Sequence, residues 1–407
     1  MPRGVVITGL GAVSALGGDV AALRAALADG RCGIGLLTLF AHQGRCQTAA
    51  QVPEAASGAV GDLPVATLRR LSRPDRFALA AAAEACRNAG LETGTRRTAA
   101  LFVGATTGGL FETEDAYRRR RAGAERRFRL SRMLGTPIAT AAAAVSQAFG
   151  IFGPQAVLST ACSSSALAVG LAGDAVRRGE VRVAVALGTD GLCRLTYAGF
   201  DALQALDPDR CRPFDRARRG LSLGEGAAAL VLEDADHARA RGARPRAVLL
   251  GYGTASDAHH VTAPHPEGAG ALAALRGALA AAGLKPEAVD YVNAHGTGTP
   301  QNDAVEVAAL RTVLGARLAR IPVSSTKSQL GHCLGAAGAI EAAVTVLALE
   351  DGLVPPTATL REPEPAWADL DLVPTPGRRA RLGVALTSSC GFGGHNVTLV
   401  LGRAEGR

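Results

Sequence analysis

The sequence predicts an α/β protein made of two similar βα halves, and three observations lead there. Strand-like apolar runs alternate with helical runs of small residues along the chain. The alternation repeats weakly at a spacing of about half the chain. A composition of 48% hydrophobic residues with 50 glycines and only 4% aromatics suits close backbone packing rather than large rings. At 407 residues the chain is too long for one ordinary core. The division is expected near ARARGARPRAV (238–248), where charge, Gly and Pro interrupt the pattern, giving segments 1–245 and 246–407.

In order, VVITGLGAV reads as a buried strand, RFALAAAAEACRNAGL as a helix closed by Gly, and AALFVGATTGG as a strand running into a glycine loop. VLSTACSSSALAVGLAGDAV passes from a strand to a helix, and VRVAVALGTD and GAAALVLED are strands. The second half echoes the first. LAALRGALAAAGL is again a helix closed by Gly, VDYVNAHGTGT again a strand entering a glycine loop, and GHCLGAAGAIEAAVTVLAL again a small-residue helix. LTSSCGFGGHNVTLVL is a glycine turn ahead of a last strand. Strands such as VAVALG are apolar on both faces, so a parallel or mixed sheet covered by helices on both sides is expected. Sites in such folds collect at the carboxyl ends of strands.

The net charge of +8 points to acidic partners. The N-terminus lacks signal-peptide architecture and no apolar stretch is long enough for a bilayer, so no membrane association and a cytoplasmic location are expected. Eight cysteines are scattered without a CxxC pair or Cys/His zinc spacing, which indicates neither a disulfide framework nor a metal site. The run YRRRRAGAERRFRLSR, from Tyr117 to Arg132, has no nucleic-acid motif beside it and no aromatic platform beyond Tyr117 and Phe128. It reads first as a solvated helical face or an insertion, and second as a docking surface for an acidic carrier; nucleic acid is not expected.

Cys162 lies where a strand gives way to a helix. There the unpaired N–H groups and the macrodipole favour thiolate, the nucleophilic form; the competing reading is a small cysteine packed at a turn. His295 follows a strand directly, beside Gly296-Thr297-Gly298-Thr299, a setting able to fix its tautomer. Lys327 and His332 lie in VSSTKSQLGHCLGAAG, with Glu341 on the next helix as the carboxylate a buried lysine needs to stay charged. Phe392, in a glycine turn, offers a backbone N–H for an oxyanion and a ring to gate access, against the alternative of a mere tight turn. Cys333 and Cys390 are expected to pack rather than react.

The succession TACSSS, HGTGT, TKSQLGH and GFGGHN resembles the β-ketoacyl-acyl-carrier-protein synthases of the thiolase superfamily, over nearly the whole chain and most closely the elongating Cys-His-His branch. SDAHHVTAPHPEG and RPFDRARRGLSLGEGAAALVLE resemble further segments of that family. The resemblance implies a thiolase-like fold, layered α-β-α-β-α. It implies that Cys162 accepts an acyl group and that an acyl carrier protein delivers a malonyl group on a phosphopantetheine arm held by Thr297 and Thr299, with Thr262 and Phe200 also lining the substrate path. His295 and His332 would stabilise the enolate through Nε2–H, the N–H groups of Cys162 and Phe392 would hold the oxyanion, and Lys327, paired with Glu341, would orient His332. It implies no metal or redox cofactor, and carrier docking at Arg73, Arg126, Arg127 and Arg210. The ACSSS segment is more like polyketide than fatty-acid synthases. A homodimer is the family default, and a heterodimer with a cysteine-less chain-length-factor-like subunit is the alternative. Cys162 argues against a noncatalytic partner subunit, and His332 against a thiolase-type condensation of coenzyme A thioesters.

Overall fold

The computed structural model describes residues 4–56, 63, 67, 69–124 and 130–404. Ten strands form one mixed sheet: β1 (Val5–Val13), β2 (Ala100–Gly104), β3 (Gln155–Leu158), β4 (Val183–Asp190), β5 (Gly226–Asp234), β6 (Ala247–Ser256), β7 (Tyr291–Asn293), β8 (Val323–Ser324), β9 (Val384–Gly391) and β10 (His395–Arg403). Their order is β8-β7-β9-β10-β6-β1-β5-β4-β2-β3. Each half therefore repeats one pattern, with the second strand between the third and fourth and the first strand at the centre of the molecule. The pairings repeat too. β2 runs parallel to β3 and β4, as β7 does to β8 and β9. β5 lies antiparallel to β4 and β1, as β10 does to β9 and β6. The halves meet where Val6 and Ile7 of β1 pair antiparallel with Val248 and Ala247 of β6.

The longer helices include α1 (Arg73–Asn88), α2 (Leu110–Arg121), α3 (Ala139–Phe149), α4 (Ser164–Arg177), α5 (Arg194–Ala202), α6 (Ala269–Ala282), α7 (Pro300–Leu314) and α8 (Ala337–Asp351). α1 covers β1 and β5 on one outer face, and α6 covers β6 and β10 on the other. The two passages that echo each other in sequence thus occupy equivalent places. α4 and α8 lie in the middle, each touching strands of both halves, which makes the layering α-β-α-β-α.

Local chemistry explains the elements. Ser72 and Asp75 form a capping box at the start of α1, with Pro74 in its first turn. Every residue of β1, β4 and β5 is buried, as strands covered on both faces must be. Ala337 to Glu350 of α8 are all buried, so this helix is small and apolar nearly all round. Small residues are required where α4 and α8 cross, because a Cβ on Gly338 would stand 2.5 Å from the Ala166 nitrogen. Among the described residues no helix is long and apolar enough to cross a membrane. Arg118 to Arg121 form the last turn of α2, exposed and at the end of the dipole that favours cations; Arg126 and Arg127 lie outside the described residues.

Candidate active site

The carboxyl ends of β7 and β9, the turn ahead of α4 and the segment ahead of α8 converge on a cavity of about 400 Å³. Cys162, His295, His332, Thr297, Thr299, Phe392, Phe200 and Thr262 all line it.

Between β3 and α4 the chain reverses within a few residues, and the reversal falls on Ala161. Its φ of 50° is in the left-handed region, which a side chain with a Cβ occupies under strain. The flanking polar residues hold that turn. The Thr160 N–H donates to Ser164 Oγ at 2.9 Å, and Ser163 Oγ donates to the Thr160 carbonyl at 2.9 Å. Cys162 is held against the cavity wall, 6% exposed. The helix N-terminus predicts a thiolate, and here the structure corrects the sequence. Burial pushes the Cys162 thiol up to about 11, against the lowering effects of the Phe392 N–H, which donates to the sulfur, and of Lys327. Desolvation outweighs the dipole, so the resting group is a thiol. Alkylation of Cys162 by iodoacetamide, followed by peptide mass spectrometry, is accordingly expected to accelerate about tenfold per pH unit from pH 7 to 10; a plateau by pH 8 would show a thiolate at rest. Cys390 also lines the cavity, its thiol raised by burial, and Cys333 is buried and directed to backbone carbonyls.

The rings of His295 and His332 stand edge to face with centroids 5.2 Å apart. His332 Nδ1 accepts the Leu334 N–H at 3.1 Å, which assigns the ring proton to Nε2, and Nε2 has no partner among the described residues. His295 differs from expectation. Its Nδ1 has no hydrogen-bond partner among the described residues, so its tautomer is not fixed that way. Its backbone is fixed instead, because Glu306 accepts the N–H groups of His295 at 2.7 Å and Gly296 at 2.8 Å. Burial, reinforced by the charge of Lys327, holds both imidazoles well below their ordinary pKa, so both are neutral at pH 7. Lys327 is buried and its Nζ donates to Glu341 Oε1, as the sequence predicts. Burial pushes Glu341 up to about 7 despite that partner.

The Phe392 N–H reaches Cys162 because nothing separates the two backbones. A Cβ on Gly391 would stand 2.8 Å from the Thr160 carbonyl and 3.2 Å from the Cys162 nitrogen. The Phe392 ring stacks on Phe200 of α5, centroids 5.3 Å apart. Thr297 Oγ1 and Thr299 Oγ1 lie 2.8 Å apart, and Thr299 also caps α7. Thr262 is half-buried at the rim, its N–H donating to His260 Nδ1 at 3.1 Å.

Three supporting carboxylates escape a motif-based reading. Glu306 and Asp303 share the inner face of α7, and Asp303 accepts the N–H groups of Phe214 at 2.9 Å and Gly298 at 3.1 Å. Asp190, at the end of β4, accepts from the N–H groups of Thr107 and Gly335, each at 2.7 Å, tying the two halves together at the site. The one available signal is two acids at i,i+3 on a helix with apolar neighbours, which marks a buried polar face.

The docking arginines separate. Arg210 is exposed, but Arg73 is not a free surface charge. Its guanidinium holds the wholly buried Glu225 at 2.6 Å and the Val52 carbonyl at 2.7 Å, which corrects its assignment to docking. A cation committed to a buried carboxylate is costly to withdraw.

Comparison with known proteins agrees with this geometry over both halves. The beta-ketoacyl synthase N-terminal domain matches residues 2–238, and the beta-ketoacyl synthase C-terminal domain matches residues 246–361. The chain is 39% identical over 408 residues to 3-oxoacyl-acyl-carrier-protein synthase 2 of Synechocystis, covering 97% of each. It is 40% identical over 424 residues to the putative polyketide beta-ketoacyl synthase 1 of Streptomyces halstedii, covering 100% of each. The solved ishigamide ketosynthase/chain length factor superimposes with a TM-score of 0.93 at 35% identity, over 99% of this chain and 100% of the other. A likeness that runs through both halves at this level makes the chain a member of the beta-ketoacyl synthase family of condensing enzymes.

Proposed function

We propose that this enzyme carries out a decarboxylative Claisen condensation between an acyl group held on Cys162 and a malonyl group brought by an acyl carrier protein. The observation that carries the reading is the shared cavity, in which a nucleophilic sulfur faces two neutral imidazoles and a backbone N–H donor. In the first step the Cys162 sulfur takes the acyl carbon from a carrier thioester, and the carrier thiol leaves with the proton. In the second, the malonyl C–C bond breaks, carbon dioxide departs, and the enolate oxygen is met by Nε2–H of His332 and by His295. The enolate carbon then attacks the acyl carbonyl, whose oxyanion is received by the N–H groups of Cys162 and Phe392, and collapse expels the sulfur. Each donor of this kind is worth roughly 3 kcal/mol. The sequence of steps is redox-neutral and calls for no cofactor beyond the carrier's phosphopantetheine, with Thr297 and Thr299 as its holders. Eight free cysteines fit a reducing cytoplasm.

Docking of an acidic carrier falls to Arg210, Arg126 and Arg127. A second reading rests on the likeness to a ketosynthase that is solved with a chain length factor: this chain would be the cysteine-bearing half of a heterodimer in polyketide or polyene synthesis. Purification of the native assembly tests it, a co-eluting homologue without the cysteine supporting the heterodimer and a single species the homodimer. For the condensation itself, incubation with an acyl-carrier thioester or with cerulenin is expected to add one adduct, on Cys162, by peptide mass spectrometry. An unmodified Cys162 overturns the reading.

A further inference from the structure

We propose that Arg219 binds the phosphodiester of the incoming phosphopantetheine arm at the mouth of the cavity; this rests on the carrier-substrate reading above. Among the described residues that line the cavity, Arg219 is the one lysine or arginine. Its placement follows from the backbone. The N–H of the next residue, Gly220, donates to the Gly298 carbonyl at 3.1 Å, so Arg219 stands directly beside the loop that carries Thr297 and Thr299. Exposure rises outward in the order such an arm would be laid. Cys162 is buried at the wall, Thr297 is buried, Thr299 is half-buried, and the Arg219 side chain is 56% exposed. A thiol end at Cys162 and amides at the threonines leave the anionic end of the arm at the rim, where this guanidinium is.

The charge is only lightly committed. Arg219 Nη2 lies 3.4 Å from Oδ1 of the buried Asp207, and this is the only ion pair seen for it among the described residues. Asp257, a carboxylate lining the cavity, is occupied by the Asn396 amide at 2.9 Å and by the N–H groups of Gly270 and His265, each at 3.1 Å. A guanidinium has five donors in a fork that matches a phosphate, so one contact to Asp207 leaves most of them for a ligand. Asp207 then orients the fork. The competing account is that Arg219 serves only to neutralise Asp207. On that account phosphate is irrelevant to it.

The two accounts are separated by acylating the enzyme from acyl-pantetheine and from acyl-4′-phosphopantetheine, small thioesters that differ in the phosphate and do not use the carrier's surface. Rates are read as the mass adduct on Cys162. At low salt the phosphorylated donor is expected to have a kcat/KM about tenfold higher, the scale of one charge-assisted contact at an exposed site, and the advantage shrinks as salt rises. Arg219→Gln is expected to bring the ratio of the two rates to about one, while Arg219→Lys keeps most of it. A wild-type ratio near one, or a ratio that survives in Arg219→Gln, overturns the phosphate assignment and leaves acyl transfer to Cys162 standing. The absence of an adduct from either donor overturns both.

Discussion

Cys162→Ala is expected to abolish condensation, lowering product formation at least ~10³-fold, because without the sulfur no acyl-enzyme forms and the carbanion has nothing to attack. Decarboxylation is a separate matter. The rings of His295 and His332, centroids 5.2 Å apart, do not need the sulfur to stay neutral and hydrogen-bond-competent, since burial, reinforced by Lys327, sets their protonation. Cys162→Gln is therefore the more informative variant. Its carboxamide oxygen is expected to take the place of the acyl carbonyl and to accept from the Phe392 N–H that serves the thiol in the parent enzyme. That variant is expected to make no condensation product and still to release carbon dioxide from a malonyl thioester. Chromatography of the thioester products together with carbon dioxide release measures both steps on one sample. Full condensing activity in either variant would refute covalent catalysis at Cys162.

The parts of this site that were legible in the sequence are those carried by contiguous residues. The passages RFALAAAAEACRNAGL and LAALRGALAAAGL echo each other and become α1 and α6, in equivalent positions on the two outer faces. The four motifs name Cys162, His295, Lys327, His332 and Phe392, and the Lys327–Glu341 pair follows from the need to balance a buried charge. What was not legible depends on neighbours distant in the chain or on burial. The protonated state of Cys162 is such a case: the helix start is local and visible, whereas the desolvation that outweighs it is made by the whole surrounding fold. Arg73 is another, since nothing in RPDR announces a carboxylate 152 positions away in the chain. Ala161 is a third. Its left-handed backbone is imposed by the reversal from β3 into α4, and an alanine gives no sign of it.

Lys327→Ala is expected to slow decarboxylation by about 10²-fold while reducing acylation of Cys162 far less. Lys327 reaches neither reacting carbon. It acts as a positioning residue, through its charge on both imidazoles and its contact with Glu341. Its effect on the Cys162 thiol ranks behind the Phe392 N–H, which the variant keeps, and that is why loading is the lesser loss. Stability separates this role from a merely structural one. In the variant the buried Glu341 loses the one cation paired with it among the described residues, a change of roughly 3 to 5 kcal/mol while the carboxylate remains charged. Glu341 is already raised from 4.5 to about 7, and without Lys327 it rises further. A raised carboxyl binds its proton more readily folded than unfolded. Folding is therefore least penalised below the unfolded value of about 4.5, where Glu341 is protonated in either state, and the penalty grows as pH rises through 7. The drop in Tm relative to the parent is accordingly expected to be larger at pH 8 than at pH 5. The double variant Lys327→Ala with Glu341→Ala removes both charges and is expected to recover much of the Tm at pH 8 without recovering decarboxylation. Equal losses in loading and decarboxylation, or a double variant that regains both Tm and decarboxylation, would contradict the electrostatic role given to Lys327.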